Sequence, residues 1–295
     1  LFLFNKGEMM KVVIAGASGQ LAKSFIYEFN KRKIEFIAPR EDEFDITNYY
    51  KMNKFIAPFR PDIIINCAAY NNVELAEQNA TQAIDVNYKG VRNLVKISQL
   101  YNIKLVHFST DYVFDGMKNS PYVETDIPDP LNLYGKSKLA GENEVMPYDN
   151  SLVFRLSWVI GYGKSNFLYK LTNWIQNNDS IMVSKDEISV PTFTFDIVKY
   201  VLMALDKKLT GLYHLTNSGK ASRYELAVKY VKLMGFTNEI IPVPMATFKN
   251  NVKRPLVTVM SNKKISEILG VNIPCWEESL KIYCNAVRSN PDLRF

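Results

Sequence analysis

The chain has 295 residues, 47% apolar and 22% charged, with 13 glycines and 13 prolines. That is the makeup of an ordinary folded protein of one large or two average domains, and it excludes collagen-like and disordered classes. Thirty-six basic against 30 acidic residues leave a net charge of +6, a diffuse excess that attracts anions without choosing among them.

In chain order, Leu1-Phe2-Leu3-Phe4 is too short for a signal-peptide core, and no small-residue cleavage site follows. Lys6-Gly7-Glu8 back-translates to a purine-rich stretch like a bacterial ribosome-binding site. Translation is therefore expected to start at Met9 or Met10; a genuine N-terminal tail is the alternative. Lys11 to Gly16 reads as a strand ending in a glycine turn. From about Gln20 to Lys31, Leu21, Phe25, Ile26 and Phe29 share one helix face. Ile34 to Ala38 is a second strand. Thr47 is placed to cap a helix that Pro58 ends. Ile63-Ile64-Ile65 is an unalternated run suited to a parallel strand buried on both faces. A long helix is expected over about 81–101, a strand over Lys104 to Ser109, a helix over about 132–145 and a strand over Leu152 to Leu156. Later helices are expected near 165–177, 194–206, 222–234, 261–269 and 276–287, with strands near 180–183, 211–215 and 240–243. Strands alternating with helices predict an α/β fold, a Rossmann-type doubly wound parallel sheet with a smaller C-terminal substrate-binding lobe. The nucleotide-binding domain is assigned to 10–156 plus about 194–216, the lobe to 157–193 and 217–287, and tails to 1–9 and 288–295.

Gly16-Ala17-Ser18-Gly19-Gln20-Leu21 joins the first strand to the first helix. Such a turn lets backbone N–H groups and a helix N-terminus meet a pyrophosphate. The second strand ends Ile37-Ala38-Pro39-Arg40 without a carboxylate for a ribose diol, and Arg40 suits a 2′-phosphate. NADPH is the expected cofactor, with NADH left open because Glu41 and Asp42 follow at once. Tyr134 and Lys138 lie four apart on one helix face. A free tyrosine has a pKa near ~10, and a neighbouring ammonium lowers it toward acid–base use at neutral pH. Ser109-Thr110-Asp111 ends a parallel strand, where open α/β sheets bind ligands. There the Thr110 hydroxyl is placed for a substrate carbonyl.

These runs, with Phe44-Asp45-Ile46-Thr47, Asn66-Cys67-Ala68-Ala69-Tyr70, Asp111-Tyr112-Val113-Phe114-Asp115-Gly116, Tyr134 to Glu142, Arg155-Leu156-Ser157-Trp158, Asn166-Phe167, Pro191-Thr192 and Arg254-Pro255, resemble an extended short-chain dehydrogenase/reductase. The specific resemblance, over residues 10 to about 287, is to the dTDP-4-dehydrorhamnose reductase family. It implies reduction of the C4 ketone of a nucleotide-linked 4-keto-6-deoxyhexose. Tyr134 then resembles the proton donor, Lys138 the ribose-binding lysine and Thr110 the ketone-positioning hydroxyl, with Asp111 beside them. Gly16, Ser18, Gly19, Gln20, Leu21, Arg40, Asp45, Ile46, Ala68, Ala69, Tyr70 and Asn87 match the cofactor side. Tyr112, Val113, Trp158, Asn166 and Arg254 match the sugar-nucleotide side. Departures cluster toward the sugar: Asn71-Asn72 in the loop after Tyr70, Ser189 where a glycine is frequent, and Arg223 where a tryptophan is frequent.

The alternatives are a non-catalytic NADP-binding subunit resembling the methionine adenosyltransferase beta subunit, or a reductase of another nucleotide 4-keto sugar. A 4,6-dehydratase is disfavoured because Tyr112 stands where that family carries glutamate. Cys67, Cys275 and Cys284 form neither a disulfide framework nor a zinc spacing, which points to a reducing cytoplasm. With two histidines, no multi-histidine metal site exists and no metal is expected. No apolar run reaches the ~18–20 residues of a membrane span. No basic stripe with interleaved aromatics marks a nucleic-acid partner. A nucleotide-sugar substrate is the expected partner, and a homodimer stays open.

Overall fold

Residues 10–248 and 252–290 are described by the computed structural model; the expectations for residues 1–9 lie outside them. β1 (Val12–Ala15) is buried on both faces. Val12 and Ile14 enter one core, and Val13 and Ala15 the other, as strand alternation requires. α1 (Gln20–Arg32) lays Leu21, Phe25 and Phe29 on the first core. β2 (Phe36–Ile37) is shorter than expected.

α2 (Tyr49–Phe59) corrects two expectations. Its cap is Asn48, whose side chain accepts from the Lys51 N–H at 3.1 Å. Thr47 is drawn back instead, donating its hydroxyl to the Asp45 carboxylate at 2.7 Å. Pro58 lies inside the last turn, where it forfeits one helical hydrogen bond. The helix closes two residues later at Arg60, in the left-handed region with φ of 48°.

β3 (Ile63–Asn66) carries the three isoleucines, all buried. The short α3 (Val73–Gln78), capped by Asn72, has no counterpart among the sequence expectations. The single helix expected over 81–101 is three pieces: α4 (Ala80–Ile84), a π-helical turn over Asp85–Gly90, and α5 (Val91–Tyr101). The wider turn holds Asn87 buried beneath the cleft. β4 (Lys104–Thr110) leads through a 3-10 turn at Asp111–Val113, and α6 (Leu133–Val145) is capped by Asn132. β5 (Ser151–Leu156) is followed by β6 (Val159–Ile160), α7 (Phe167–Asn177), β7 (Ser180–Ser184), β8 (Ile188–Ser189) and β9 (Thr192–Phe193). Then come α8 (Thr194–Asp206), β10 (Gly211–His214), β11 (Ala221–Ser222), α9 (Arg223–Met234), β12 (Glu239–Val243), α10 (Lys263–Leu269) and α11 (Trp276–Ser289).

The main sheet runs β10-β5-β4-β3-β1-β2, with every neighbouring pair parallel. This is the Rossmann-type arrangement expected. β2 lies on one side of β1 and β3 on the other, so the order reverses there. Ligands of open α/β sheets bind in the crevice at such a switch point. One face packs on α1, α8 and α10; the other packs on α2 and α5. A separate core gathers α7, α9 and α11 with β7 and β12. α10 falls in the stretch read as the lobe, yet Ile265 and Leu269 pack into the sheet's core with Ile197 and Val201 of α8. Among the described residues, no helix is long and apolar enough to cross a membrane, and no three His, Cys, Asp or Glu gather as a metal site.

Candidate active site

A cleft of about 690 Å³ opens beyond the C-terminal ends of the sheet strands. At one end lies the β1–α1 junction. Gly16 has a φ of +75°, and a Cβ there would sit 2.5 Å from the Ala68 backbone nitrogen. Only glycine lets the two chain segments close this tightly. Gly19 gives α1 no side-chain cap, and no acidic residue occupies the first turn. The helix's leading N–H groups and its positive end thus face Ser18, Gly19 and the Ala68–Ala69 wall of the cleft. A tight glycine turn leading into an uncapped helix start that lines the cleft fits a dinucleotide pyrophosphate.

Gln20 and Leu21 also line this end, but the Gln20 side chain is spent on the fold. It donates to the Val159 carbonyl at 3.1 Å and accepts from Gly161 N–H at 3.0 Å. Arg40 is not among the residues that line the cleft; it is exposed and paired with Asp42 at 2.8 Å. Asp45 holds Thr47, and Ile46 is buried in the second core against Gly90. Asn87 acts on the Tyr70 loop: its side-chain oxygen accepts from Tyr70 N–H at 2.8 Å, and its amide donates to the Tyr70 carbonyl and to Ser137 at 3.0 Å.

At the floor, α6 presents Tyr134 and Lys138, both buried. Gly135 lets α6 approach, since a Cβ there would lie 2.3 Å from the Tyr112 carbonyl oxygen. The Lys138 ammonium donates to the Phe108 carbonyl at 2.6 Å. Burial pulls its pKa down to about 8, with Glu142 opposing. The Tyr134 phenol packs edge-on against Tyr112 at 5.7 Å. Here the expected direction is reversed. Burial pushes the phenol's pKa up, and only the Thr110 hydroxyl pulls it back. Lys138 is anchored on β4 instead, and desolvation sets the direction for Tyr134.

Asp111 is buried beneath Thr110. Its oxygens accept from Thr110 at 3.2 Å, Ser189 at 3.0 Å and Thr258 at 2.5 Å. Burial raises its pKa while the three hydroxyls lower it. It lines the cleft but acts on Thr110, so its place is that of a positioning carboxylate. Val113 corrects another expectation. Its side chain is fully buried with Phe114, Tyr122 and Met260 and faces no part of the cleft, because the 3-10 turn rotates it inward.

Trp158, Asn166, Tyr112 and Arg254 also line the cleft, with the Asn166 amide 3.4 Å from the Gln20 side-chain oxygen. Trp158 has a φ of 38°, an outlier for a bulky residue and a common mark of functional sites. Asn166 caps α7 through Tyr169 N–H and donates to the Gly161 carbonyl at 2.6 Å, so its polar atoms serve the fold. Arg254 donates to the Tyr112 hydroxyl at 3.1 Å and pairs with Glu74. Sequence reading did not assign roles to Glu187, Lys170 or Arg223, which also line the cleft. Arg223 left a signal as a departure from the expected tryptophan; the other two left none. Cys67 lines the cleft as a small wall residue whose thiol is held neutral by burial. His107 accepts from the Asn66 amide at 3.1 Å, and burial holds its pKa well down.

A pyrophosphate cradle opening onto a buried phenol and ammonium is the layout of an α/β oxidoreductase of the extended short-chain type. The family described as the RmlD substrate binding domain matches residues 10–289. A dTDP-4-dehydrorhamnose reductase of Aggregatibacter actinomycetemcomitans is 32% identical, over 92% of this chain and 98% of that protein. A dTDP-4-keto-6-deoxy-D-glucose reductase of Streptomyces niveus is 30% identical, over 91% of this chain and 94% of that protein. The crystal structure of dTDP-4-dehydrorhamnose reductase from Bacillus anthracis in complex with NADP aligns at a TM-score of 0.90 and 33% identity, covering 95% of this chain and 100% of that one. The chain belongs to the dTDP-4-dehydrorhamnose reductase family.

Proposed function

We propose that the protein reduces the C4 ketone of a nucleotide-linked 4-keto-6-deoxyhexose with NADPH, converting dTDP-4-dehydrorhamnose to dTDP-L-rhamnose. The observation that carries this reading is the meeting of Thr110, Tyr134 and Lys138 in one cleft, between the Gly16–Gly19 cradle and Trp158. NADPH, when bound, supplies the hydride that adds to the ketone carbon. The pyrophosphate end fits the N-terminus of α1, and the two unused Lys138 donors fit the ribose hydroxyls. Tyr134, kept protonated by burial, delivers its proton to the carbonyl oxygen as that carbon is reduced, so the ketone becomes a secondary alcohol. Thr110 steadies the phenol and the incoming oxygen, and Asp111 fixes Thr110. The relatives' names support the reductase reading, and they divide on the sugar.

The test is to supply dTDP-glucose with an upstream dehydratase and epimerase, then add this protein and NADPH. Appearance of dTDP-L-rhamnose with matching NADPH loss is the expected result. A folded, NADPH-binding protein that forms none overturns the sugar. Omitting the epimerase shows whether the 4-keto-6-deoxy-D-glucose nucleotide is accepted instead.

A further inference from the structure

Arg223 is the first residue of α9, and its backbone N–H is fixed to the Glu187 carbonyl at 3.2 Å. Its guanidinium carbon lies 3.6 Å from the Trp158 ring centre and 5.1 Å from that of Phe167. Stacking fixes the plane of the fork and leaves its edge of N–H donors free. No side-chain hydrogen bond or ion pair holds those donors among the described residues. Glu187, 8% exposed, lines the same wall of the cleft. Its carboxylate likewise has no donor among the described residues. The two charges attract one another, yet they stand too far apart to form an ion pair. A half-buried donor fork and a carboxylate that face one cavity without a protein partner are open to completion by one ligand that both accepts and donates. The nearby Arg254 differs, being already held by Tyr112 and Glu74.

We propose that Arg223 and Glu187 form a donor–acceptor clasp for hydroxyl groups of the hexose, and that this clasp sets which 4-keto sugar the chain accepts. The inference rests on the nucleotide-sugar reading of the cleft. A hydroxyl both donates and accepts, so neighbouring ring hydroxyls can satisfy the carboxylate and the guanidinium together. A diphosphate offers only acceptors and would leave Glu187 unpaired and repelled. Trp158 supplies an apolar face beside the clasp, suited to the C–H face of a deoxysugar. A site that hydrogen-bonds a substrate hydroxyl rejects analogues lacking it far more strongly than an apolar pocket does.

The experiment measures binding of dTDP-L-rhamnose, dTDP-glucose and dTDP by calorimetry to the NADP-loaded protein, for wild type, Arg223→Met and Glu187→Gln. The wild type should hold at least one sugar nucleotide more tightly than dTDP. Each substitution should weaken that sugar nucleotide by about 10- to 100-fold, the loss of a hydrogen bond to a charged group. Binding of dTDP and the melting temperature should stay unchanged. Equal losses for dTDP would place Arg223 on the diphosphate and overturn the clasp, as would unchanged sugar binding in both variants. A wild type that binds both sugar nucleotides no better than dTDP also overturns it. A wild type that binds tightly and discriminates, yet reduces no 4-keto sugar, keeps the clasp and sinks the proposed reaction.

Discussion

The Lys138 ammonium is anchored 2.6 Å from the Phe108 carbonyl, two residues before Thr110 on β4. That bond ties α6 to the strand that carries Thr110. It also keeps a buried cation in place at a cost, since burial brings its pKa from 10.5 to about 8. A pH dependence follows. kcat/KM reports free-enzyme ionisations, so the reduction should lose efficiency as pH rises through about 8. In Lys138→Arg the slower reaction should lose that limb, because guanidinium stays charged. A limb left unmoved in the variant would assign it to another group.

The same group links pH to stability. Lys138 has a folded pKa below its unfolded value, so between about 8 and 10.5 the unfolded chain binds more protons. Relative to Lys138→Met, the wild type should therefore gain stability as pH rises through that window and lose it again as pH falls. Urea titrations of both proteins at several pH values check the sign.

Tyr134→Phe should lower kcat by ~10²–10⁴-fold, the usual worth of a positioned acid. NADPH binding should persist, because the substitution spares the cradle at Gly16. Fluorescence titration of the cofactor separates the two effects, and near-normal kcat would point to a different proton donor.

Arg40 is exposed and clasped by Asp42. Arg40→Ala should weaken NADPH binding more than NADH binding if the guanidinium turns from Asp42 to a 2′-phosphate. Asp42→Asn should then tighten NADPH by freeing it. Equal effects on both cofactors would leave Arg40 with no part in the choice.

Gly141 on α6 is packed so closely on the π-helical turn that a Cβ would lie 2.1 Å from the Asn87 carbonyl oxygen. Gly141→Ala should cost about 1–3 kcal/mol, the range for overpacking. It should also slow turnover, by shifting the helix that carries Tyr134. A melting scan with a parallel kcat measurement checks both.

What the sequence made legible was local. The run Val12 to Ala15 announced a strand and Gly16 the turn after it, and the three isoleucines of β3 announced a strand buried on both faces. Tyr134 and Lys138 fell on one helix face because a helix imposes that spacing. What stayed hidden depends on distant partners. Nothing local says that Ser189 and Thr258 would converge on Asp111, or that Arg223 would stack on Trp158. The π-helical turn is equally opaque, because the widening places Asn87 against Gly141 and Ser137, residues far along the chain. The sign of the Tyr134 shift failed for the same reason: the sequence shows the lysine but not the depth of burial.

The seating of α10 on the sheet has a consequence for anyone cutting this protein into parts. After β5 the chain leaves the sheet for β6–β9, returns for α8 and β10, leaves for β11, α9 and β12, returns for α10, and leaves again for α11. The part built around α7, α9 and α11 is thus stitched to the sheet several times over. It has no single linker at which it could be excised, expressed alone or exchanged for that of a relative. A chimera with altered sugar choice must instead be assembled from short inserts between the returning segments, such as the β7–β8 stretch and the start of α9, leaving α8, β10 and α10 in their native register.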